Sequence, residues 1–380
     1  MKKVLIFDNI LDGHHLEYIH HLYEVALRMP FVDFYFAVPE EFEQAKTKFD
    51  WVRQENIHVV KIEKNDINLC SKTGYFTKSL YYARVLKRYV DQYAVNEVFL
   101  ITMVYPFPFL PFFMGGDVKV SGIIYRIYLY EWKSLSVIKK CKDVLETFIM
   151  AKAKCVKSIF VLNDNSAACY FNKLFNADKF KSIVDPTLPL SCSSRNIRNE
   201  LGIDESDCVY LHFGAMTERK GTLEILDALK MLSEEELKGK VFVFAGKIGN
   251  AMKGPFYDRI QRLGKKVKIL VYDRFCSYEF LNDLCKSCDV VLTPYKNTSY
   301  SSGVLGYVAL FNKMVVGPKE GLLGKLIRRN NLGFAKESMT AENLAKVIAM
   351  GLCGRFDGEK YVLKNNVGSF KDSIINMLLD

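Results

Sequence analysis

The sequence lacks an unbroken hydrophobic run long enough to cross a membrane. Its most apolar stretch, residues 98–114, approaches the roughly 20 residues that a spanning helix needs. Pro106, Pro108 and Pro111 interrupt this stretch, and proline removes a backbone donor and breaks a helix. The stretch therefore predicts a buried strand to about Val104, followed by an aromatic loop that either packs on the core or contacts a membrane.

The amino terminus lacks the long apolar core of a secretory signal peptide. Its apolar run of about six residues is broken by Asp8, whereas a signal peptide needs roughly 7 to 15. The ten cysteines lack the spacing of a disulfide framework, and the one close pair, Cys285 and Cys288, has no second pair with which to bind zinc. We therefore expect a cytosolic protein whose cysteines are free thiols.

Acidic residues are fewer than basic ones. The sequence has 53 lysines and arginines and 43 acidic residues, so its net charge is +10. This excess suits an anionic partner: a nucleotide, a phosphorylated lipid, a nucleic acid or a membrane surface. The densest lysine run covers residues 133–157, where Val137, Val144, Leu145 and Phe148 recur at helical spacing. The run predicts a helix whose basic face is either solvated or attracted to anionic lipid.

The length of 380 residues fits two domains. In both halves short apolar runs alternate with helical patterns, which predicts an α/β chain with two doubly wound parallel sheets. Strands are predicted in the first half at residues 4–9, 32–38, 56–62, 96–104, 118–127 and 158–164, and in the second half at 208–216, 241–247, 267–273, 289–295 and 313–318.

Prolines and serines cluster at residues 184–196, where the periodicity stops. This segment is the best candidate linker, so we predict a first domain over residues 1–190 and a second over 191–360. Ligands of open parallel sheets collect where the strand ends meet helix starts. The expected site is therefore the cleft between the two domains.

One loop of the second half predicts an anion site. The strand ends at Gly214, and Arg219 and Lys220 open a helix through Gly221. Two cations beside free backbone N–H groups suit a diphosphate, although a basic pair before a helix is often only solvated.

A second loop contains Ser301, Ser302 and Gly303, followed by a helix. Its N–H groups are placed to point at an anion, and Ser302 is expected to cap the helix. Plain capping and anion binding are compatible, so the pattern does not choose between them.

Histidines are concentrated near the amino terminus, at positions 14, 15, 20 and 21. On a helix His14, Glu17 and His21 share one face at spacings of three and four, which also fits part of a metal site. No cysteine or carboxylate cluster elsewhere supplies further ligands. We therefore expect no metal and place His14 in a loop after the first strand.

Taken in order, several segments resemble the family 4 glycosyltransferases: DGHH, SIFVLNDNSA, the linker, FGAMTERKG, VFVFAGK, CDVVLTPY, SSGVLG and KEGLLGKLI. The resemblance covers nearly the whole chain. It implies the GT-B fold, with two Rossmann-like domains that face each other across a cleft. The first would bind the acceptor, the second would bind a nucleotide-sugar donor, and a terminal helix over residues 361–380 would return to the first.

The resemblance also implies an activity. A sugar would move from a UDP-, GDP- or ADP-sugar to a glycan or lipid-linked acceptor, with retention and with neither metal nor cofactor. The setting would be synthesis of a bacterial surface polysaccharide such as a capsule, in the cytoplasm or at the inner face of the membrane. No nucleic-acid partner is expected.

Donor-side roles follow from the same resemblance. Lys220 and Arg219 would hold the diphosphate and stabilise it as it leaves. The remaining donor-side residues would be Gly214, Lys247, Tyr272, Phe275, Ser301, Ser302, Gly303 and Val304.

On the acceptor side, Asp12, Gly13 and His14 would face the acceptor or the leaving phosphate. Gly13 would allow close backbone approach, and His14 would act as a polar contact or proton carrier. Further acceptor-side candidates are His15, Glu17 and Arg126.

Three departures from the family pattern leave the donor open. Ala215 stands where an arginine is usual, Ser299 and Tyr307 stand where two glutamates are usual, and Tyr125 with Arg126 replaces a histidine. Two alternatives therefore remain: an inactive partner or binding subunit of the same fold, and a nucleotide-sugar epimerase. An epimerase needs acid and base carboxylates, of which the first half offers few candidates beyond those at positions 12 and 17.

Overall fold

The structure is a computed structural model that describes residues 2–11, 14–46, 51–72, 74–187 and 196–380. The chain forms two compact units. Unit 1 comprises Met1–Tyr128, Trp132–Val184 and Val367–Asp380, and unit 2 comprises Leu129–Glu131 and Asp185–Asn366. The predicted boundary between residues 190 and 191 lies outside the described residues.

Unit 1 is built on a parallel sheet, which has seven strands over the described residues. Their spatial order is β3-β2-β1-β4-β5-β6-β7. The strands are β1 (Lys2–Phe7), β2 (Val32–Val38), β3 (Ile57–Lys61), β4 (Glu97–Leu100), β5 (Lys119–Ile124), β6 (Val156–Leu162) and β7 (Phe180–Ile183). The α-helices of its first two stretches are α1 (His15–Leu27), α2 (Phe42–Ala45), α3 (Lys64–Cys70), α4 (Tyr75–Tyr93), α5 (Leu110–Phe113), α6 (Val137–Lys152) and α7 (Asn165–Phe175).

Unit 2 repeats this plan with a parallel sheet of six described strands, ordered β10-β9-β8-β11-β12-β13. The strands are β8 (Cys208–Phe213), β9 (Lys240–Ala245), β10 (Lys268–Tyr272), β11 (Val290–Leu292), β12 (Met314–Val316) and β13 (Gly333–Phe334). The helices are α8 (Ile197–Glu200), α9 (Thr222–Met231), α10 (Glu234–Leu237), α11 (Asn250–Leu263), α12 (Tyr278–Ser287), α13 (Val304–Leu310), α14 (Gly321–Arg329), α15 (Ala341–Ala349) and α16 (Glu359–Lys364).

The last helix, α17 (Val367–Leu379), belongs to unit 1 and packs against α1. The Phe370 ring stacks on Tyr18 of α1, with ring centroids 5.2 Å apart. Both side chains are almost fully buried in the same core as Phe34 and Phe36 of β2. Unit 1 therefore depends on the carboxyl-terminal segment of the chain for part of its core.

The prediction of an α/β chain with two doubly wound parallel sheets is confirmed. Apolar runs mark the strands because parallel sheets are covered on both faces and bury every residue of a central strand. Val4 to Phe7 of β1 and Val241 to Ala245 of β9 are buried in this way.

One local prediction was wrong. The strand expected to reach Val104 ends at Leu100, and the chain then turns. In the segment KEGLLGKLI, Gly321 has a φ of +72° and helix α14 begins there. The buried residues of α14 recur at helical spacing: Leu322, Leu323, Leu326 and Ile327.

Candidate functional site

A buried lysine lies at the carboxyl end of β8. A 3-10 turn covers Glu218–Lys220, so the basic pair precedes α9, which begins at Thr222. Lys220 is 8% exposed, and its Nζ donates to the carbonyl oxygen of Phe213 at 3.2 Å. The ring of Tyr295 lies 5.2 Å from the same nitrogen. None of the described residues forms an ion pair with this ammonium group.

Two glycines shape the loop around Lys220. Gly214 has a φ of +95°, and a Cβ there would lie 2.5 Å from Lys220 Nζ. Gly221 has a φ of +68°, and a Cβ there would collide with the backbone of Pro294. Side chains are excluded at both positions, because they would displace the ammonium group or separate the β8 and β11 loops.

His212 is a supporting residue that sequence reasoning missed. Burial lowers its pKa to about 4, and the nearby charge of Lys220 adds to this effect against the hydrogen bond to Leu292. The ring is therefore neutral at pH 7, so Nδ1–H donates to the Leu292 carbonyl oxygen at 2.9 Å and Nε2 accepts from Thr222 Oγ1 at 3.0 Å. It fixes the first residue of α9 without adding a charge. A histidine inside an otherwise apolar strand is the only signal that the sequence offers.

The loop of Ser301, Ser302 and Gly303, the serine loop, meets the loop from Gly214 to Gly221, the lysine loop, at Tyr295. The tyrosine hydroxyl lies 3.4 Å from Ser302 Oγ, while its ring faces Lys220. Ser301 Oγ donates to Asp185 Oδ2 at 2.9 Å. Tyr295 thus brings two sequence-predicted donor residues, Lys220 and Ser302, to one place.

The expected cap of α13 by Ser302 is wrong. Gly303 occupies the cap position, and no side chain caps the helix. The Ser302 carbonyl oxygen accepts from Leu305 N at 3.1 Å, while its hydroxyl is directed to Tyr295 instead. The backbone N–H groups of Gly303 and Val304 have no acceptor among the described residues.

Ser299 stands at one of the two positions where the family resemblance implies a glutamate. It is fully buried, and its Oγ lies 2.6 Å from Glu131 Oε1 and 2.8 Å from Asn297 Oδ1. In the same short segment of unit 2, Tyr130 accepts a hydrogen bond from Lys325 at 2.9 Å. A carboxylate therefore lies at this loop, but it comes from a distant part of the chain and no sequence signal indicates it.

The other donor-side candidates follow β9 and β10 of the same sheet. Lys247 is exposed, and its carbonyl oxygen accepts from Met216 N at 2.9 Å. Tyr272 ends β10, and burial raises the pKa of its hydroxyl. Phe275 is 71% exposed in the next loop. Asp273 accepts from Ile248 N at 2.8 Å, which joins the loops after β9 and β10.

The acceptor-side candidates belong to unit 1, and Asp12 and Gly13 lie outside the described residues. His15 Nδ1 lies 2.5 Å from Asp8 Oδ2, and burial raises the pKa of Asp8 although His15 opposes the shift. Arg126 donates to Asp143 Oδ2 at 3.0 Å. Two candidates, His15 and Arg126, are thus each held by a buried acid.

His14 and Glu17 lie at the start of α1. The side chain of His14 is 56% exposed, and its Nδ1 lies 3.8 Å from Glu17 Oε2. Burial opposes ionisation of Glu17, but contacts with His14 and His21 outweigh it and lower its pKa to about 2. Glu17 is therefore an ionised anchor on α1, while the His14 ring faces solvent.

His14, Glu17 and His21 share one face of α1 as the spacing predicts, since Glu17 lies 3.8 Å from both histidines. Among the described residues, the group whose ligand atoms lie within 4.8 Å of one another is His20, His21 and Glu24, without His14 or Glu17. Lys371 of α17 lies 3.2 Å from Glu24 Oε1, and His21 lies 3.3 Å from Glu24 Oε2. Cationic groups already compensate Glu24, so the cluster is an ion-pair network between α1 and α17.

Residues 193–352 match the family model "Glycosyl transferases group 1". This segment contains both loops of the candidate site. None of the curated proteins matches the sequence.

Three solved structures resemble the chain over its length. WaaG, a glycosyltransferase involved in lipopolysaccharide biosynthesis, matches with a TM-score of 0.65 and 14% identity, covering 99% of both chains. Alr3699/HepE of Anabaena, in complex with UDP and glucose, matches with a TM-score of 0.65 and 16% identity, covering 100% of both chains. Sucrose-phosphate synthase of Thermosynechococcus elongatus matches with a TM-score of 0.70 and 11% identity, covering 100% of this chain and 98% of that one. This chain has the GT-B fold.

At these identities the GT-B neighbours establish the fold alone. The match to group 1 glycosyl transferases supports a glycosyltransferase and falls on the unit that contains Lys220. In the GT-B fold of this chain, the lysine and serine loops lie at the carboxyl ends of β8 and β11, the edge where open α/β sheets bind ligands. No described helix is both long and apolar enough to cross a membrane.

Proposed function

We propose that the protein is a family 4 glycosyltransferase that transfers a sugar from a nucleotide-diphosphate donor to a glycan or lipid-linked acceptor. Transfer proceeds with retention and without a metal. The setting is assembly of a surface polysaccharide, and the enzyme acts at the cytoplasmic face of an anionic membrane. Unit 2 binds the donor, and unit 1 binds the acceptor.

The uncompensated ammonium group of Lys220 is the observation that carries this proposal. Burying a charge without a counter-ion costs free energy, so proteins rarely keep one without a use. The backbone N–H groups of Gly303 and Val304 belong to the adjoining serine loop and add donors of the same polarity. A diphosphate supplies the missing negative charge and accepts these hydrogen bonds.

The same arrangement favours bond breaking. As the bond between the sugar and the diphosphate breaks, negative charge grows on the diphosphate, so Lys220 stabilises the transition state more than the ground state. Arg219 is exposed beside it and supplies a second cation. His212 holds Thr222 in place while it remains neutral, so it does not change the charge balance of the site.

Retention is proposed on chemical grounds. The diphosphate that leaves the sugar accepts the proton of the incoming acceptor hydroxyl on the same face, so no protein nucleophile is required. On the acceptor side, His14 contacts the acceptor or carries a proton. His15 at the start of α1 and Arg126 after β5 are the further acceptor-side residues of unit 1. Lys247, Tyr272 and Phe275 are assigned to the donor, with the latter two near the base.

One observation favours a second candidate, a binding subunit of the same fold that has lost catalysis. Ser299 and Tyr307 replace the two glutamates that the family resemblance implies. The carboxylate of Glu131, which lies 2.6 Å from Ser299 Oγ, weakens this argument because the loop still has an acid.

A thermal-shift screen with UDP-, GDP- and ADP-sugars, followed by donor hydrolysis, tests the proposal. A ligand that binds only the folded state raises the melting temperature. We expect one nucleotide series to stabilise the protein without added metal, and the matching sugar donor to be slowly hydrolysed. Stabilisation without hydrolysis or transfer would favour the binding subunit, and no stabilisation by any nucleotide would contradict the donor site.

A further inference from the structure

Helix α6 of unit 1 carries its apolar side chains on the outside. Ile138 is 83% exposed, Leu145 is 56% exposed and Phe148 is 45% exposed. Together with exposed Cys141 they follow spacings of three and four residues, which places all four on one side of the helix. We call these four residues the outward apolar face.

The opposite side of α6 is buried. It contains the polar residues Asp143, Glu146 and Thr147, which are at most 8% exposed, and, in the last turn, Met150 and Ala151. Asp143 pairs with Arg126 at 3.0 Å, and Tyr75 donates to Glu146 at 2.8 Å. Burial raises the pKa of Glu146 to about 7, although Tyr75 and nearby cations oppose the shift. Before its last turn, α6 therefore buries polar side chains and exposes apolar ones, which is the reverse of an ordinary surface helix.

The charge around the outward apolar face has one sign. Asp143 and Glu146 are the only carboxylates between Lys133 and Lys157, and both are buried. Lys139 and Lys142 are exposed on α6, with the Lys142 ammonium 3.7 Å from the ring centroid of Tyr75. The surface of α6 thus combines exposed apolar side chains with lysines and no accessible acid.

A second group of exposed aromatic residues belongs to the start of α4 and to the aromatic loop. Tyr75 of α4 contacts Glu146 of α6, and its neighbour Phe76 is 65% exposed. The ring centroid of Phe76 lies 6.3 Å from Phe109, which lies 6.4 Å from Phe112, and Phe112 is 82% exposed. Arg84 lies 5.9 Å from the ring centroid of Phe113. The aromatic loop was expected either to pack on the core or to contact a membrane. Its residues Phe107 and Leu110 are fully buried, whereas Phe112 is exposed.

We propose that the outward apolar face of α6 docks on an anionic lipid bilayer. Apolar side chains enter the boundary between headgroups and acyl chains while lysines remain at the anionic phosphates, which is the pattern of a helix lying in a membrane interface. A second copy of this chain is a poor occupant, because two lysine-rich faces would repel each other. This inference deepens the proposed function, since it gives a lipid-linked acceptor and the enzyme a common surface.

Vesicle flotation without donor or acceptor tests the docking face separately from catalysis. The wild type is expected to float with phosphatidylglycerol-containing vesicles at low salt and to stay unbound with pure phosphatidylcholine vesicles. Ile138→Ser with Leu145→Ser should lower partitioning on the order of tenfold, because burial of two apolar side chains is lost. Met350→Ser with Leu363→Ser is the matched control, since both residues are similarly exposed in unit 2 and should not affect flotation.

Two results would overturn the proposal. One is equal flotation with both vesicle types or with neither. The other is undiminished flotation of the variant with serines at positions 138 and 145. The basic charge alone would then attract anions, whether lipid, protein or nucleic acid, and the apolar face would have no part in binding. Hydrolysis of a nucleotide-sugar in the same preparation reports on unit 2 independently, so loss of one property is distinguishable from loss of the other.

An environment-sensitive fluorophore gives a readout that does not depend on the serine variants. Cys141 lies on the outward apolar face, and Cys353 is an exposed thiol of unit 2. Each is labelled in turn, with the other exposed cysteines and Cys192 replaced by serine. The label at Cys141 should shift to the blue and brighten on anionic vesicles, whereas the label at Cys353 should not change. Identical responses at both positions would contradict docking through α6.

Discussion

Each of the two units buries charged side chains, and the units differ in how that charge is balanced. In unit 1, Glu17, His21, Glu24 and Lys371 pair with one another between α1 and α17. In unit 2, Lys220 is equally buried but has no ion-pair partner among the described residues. Removing one partner of a balanced cluster leaves the other charge uncompensated, whereas an unbalanced buried charge costs stability, and we propose that a diphosphate balances it. The difference separates structural charge from functional charge without reference to sequence conservation.

Replacing the unbalanced charge should have the largest effect on activity. Lys220→Ala removes the cation proposed to stabilise the leaving diphosphate, so turnover at saturating donor should fall about 100-fold to 1,000-fold. Acceptor binding should change little, because the proposed acceptor site belongs to the other unit. Lys230→Ala, an exposed lysine near the end of α9, serves as the control in the same steady-state assay. Unchanged turnover would remove the role assigned to Lys220.

A smaller effect on activity is expected at the exposed end of the balanced cluster. His14→Ala removes a polar contact or proton carrier, and kcat/KM should fall roughly tenfold, with an altered pH profile between about pH 6 and 8. The stability of unit 1 should change little, because the ring faces solvent. His58→Ala is a control at another partly solvated histidine of unit 1. Identical activity of the wild type and His14→Ala across this pH range would refute the assignment.

Breaking the balanced cluster should reduce stability rather than catalysis. Lys371→Met leaves Glu24 with a weaker set of partners, and the free energy of unfolding should fall by about 1–2 kcal/mol, a value reduced for the partial exposure of Glu24. Chemical denaturation measures the change, and Lys360→Met is the control at an exposed lysine. A loss of turnover at full stability would contradict the distinction between the two units.

The smallest expected effect is a pH dependence of unit 1. Burial opposes protonation of His21, but Glu17 and Glu24 outweigh it and raise its pKa above 6.5, so its contribution is complete below pH 6.5 and declines as the pH rises through the folded pKa. The hydrogen bond from His21 dominates the shift of Glu24 and lowers its pKa from 4.5 to about 2. Its contribution is therefore present above pH 4.5 and is lost as the pH falls towards 2.

His21→Gln tests this pH dependence by denaturation at a series of pH values. The difference in stability from the wild type should be largest near pH 5 to 6 and should shrink above neutrality. A difference that is constant from pH 5 to 9 would show that the charge of His21 does not contribute.

Strands and the lysine loop could be predicted because their causes are local. A strand buried on both faces, such as β2 or β9, requires an apolar run, and a turn between a strand and a helix requires glycines at positions 214 and 221. The sequence does not show that Arg219 and Lys220 lie in a 3-10 turn before α9, because a basic pair does not mark where a helix begins.

Other features depend on contacts that no local pattern encodes. Glu131 meets Ser299 across 168 positions of sequence, and Lys371 meets Glu24 between opposite ends of the chain. Helical periodicity showed that α6 is amphipathic, but periodicity does not tell which side faces the core. Asp143 and Glu146 face inward on α6 although apolar residues are usual there, because Arg126 and Tyr75 satisfy these acids from within unit 1.

The thermal stability of Lys220→Met with and without a nucleoside diphosphate tests the central claim most directly. Methionine keeps the length of the side chain but removes its charge. Without ligand the variant should be as stable as the wild type or about 1 kcal/mol more stable, because an uncompensated buried charge is gone. With the diphosphate that stabilises the wild type, the variant should show little or no rise in melting temperature. A variant that is destabilised without ligand, yet keeps the full nucleotide-dependent rise, would contradict the assignment of Lys220 as the diphosphate-binding charge.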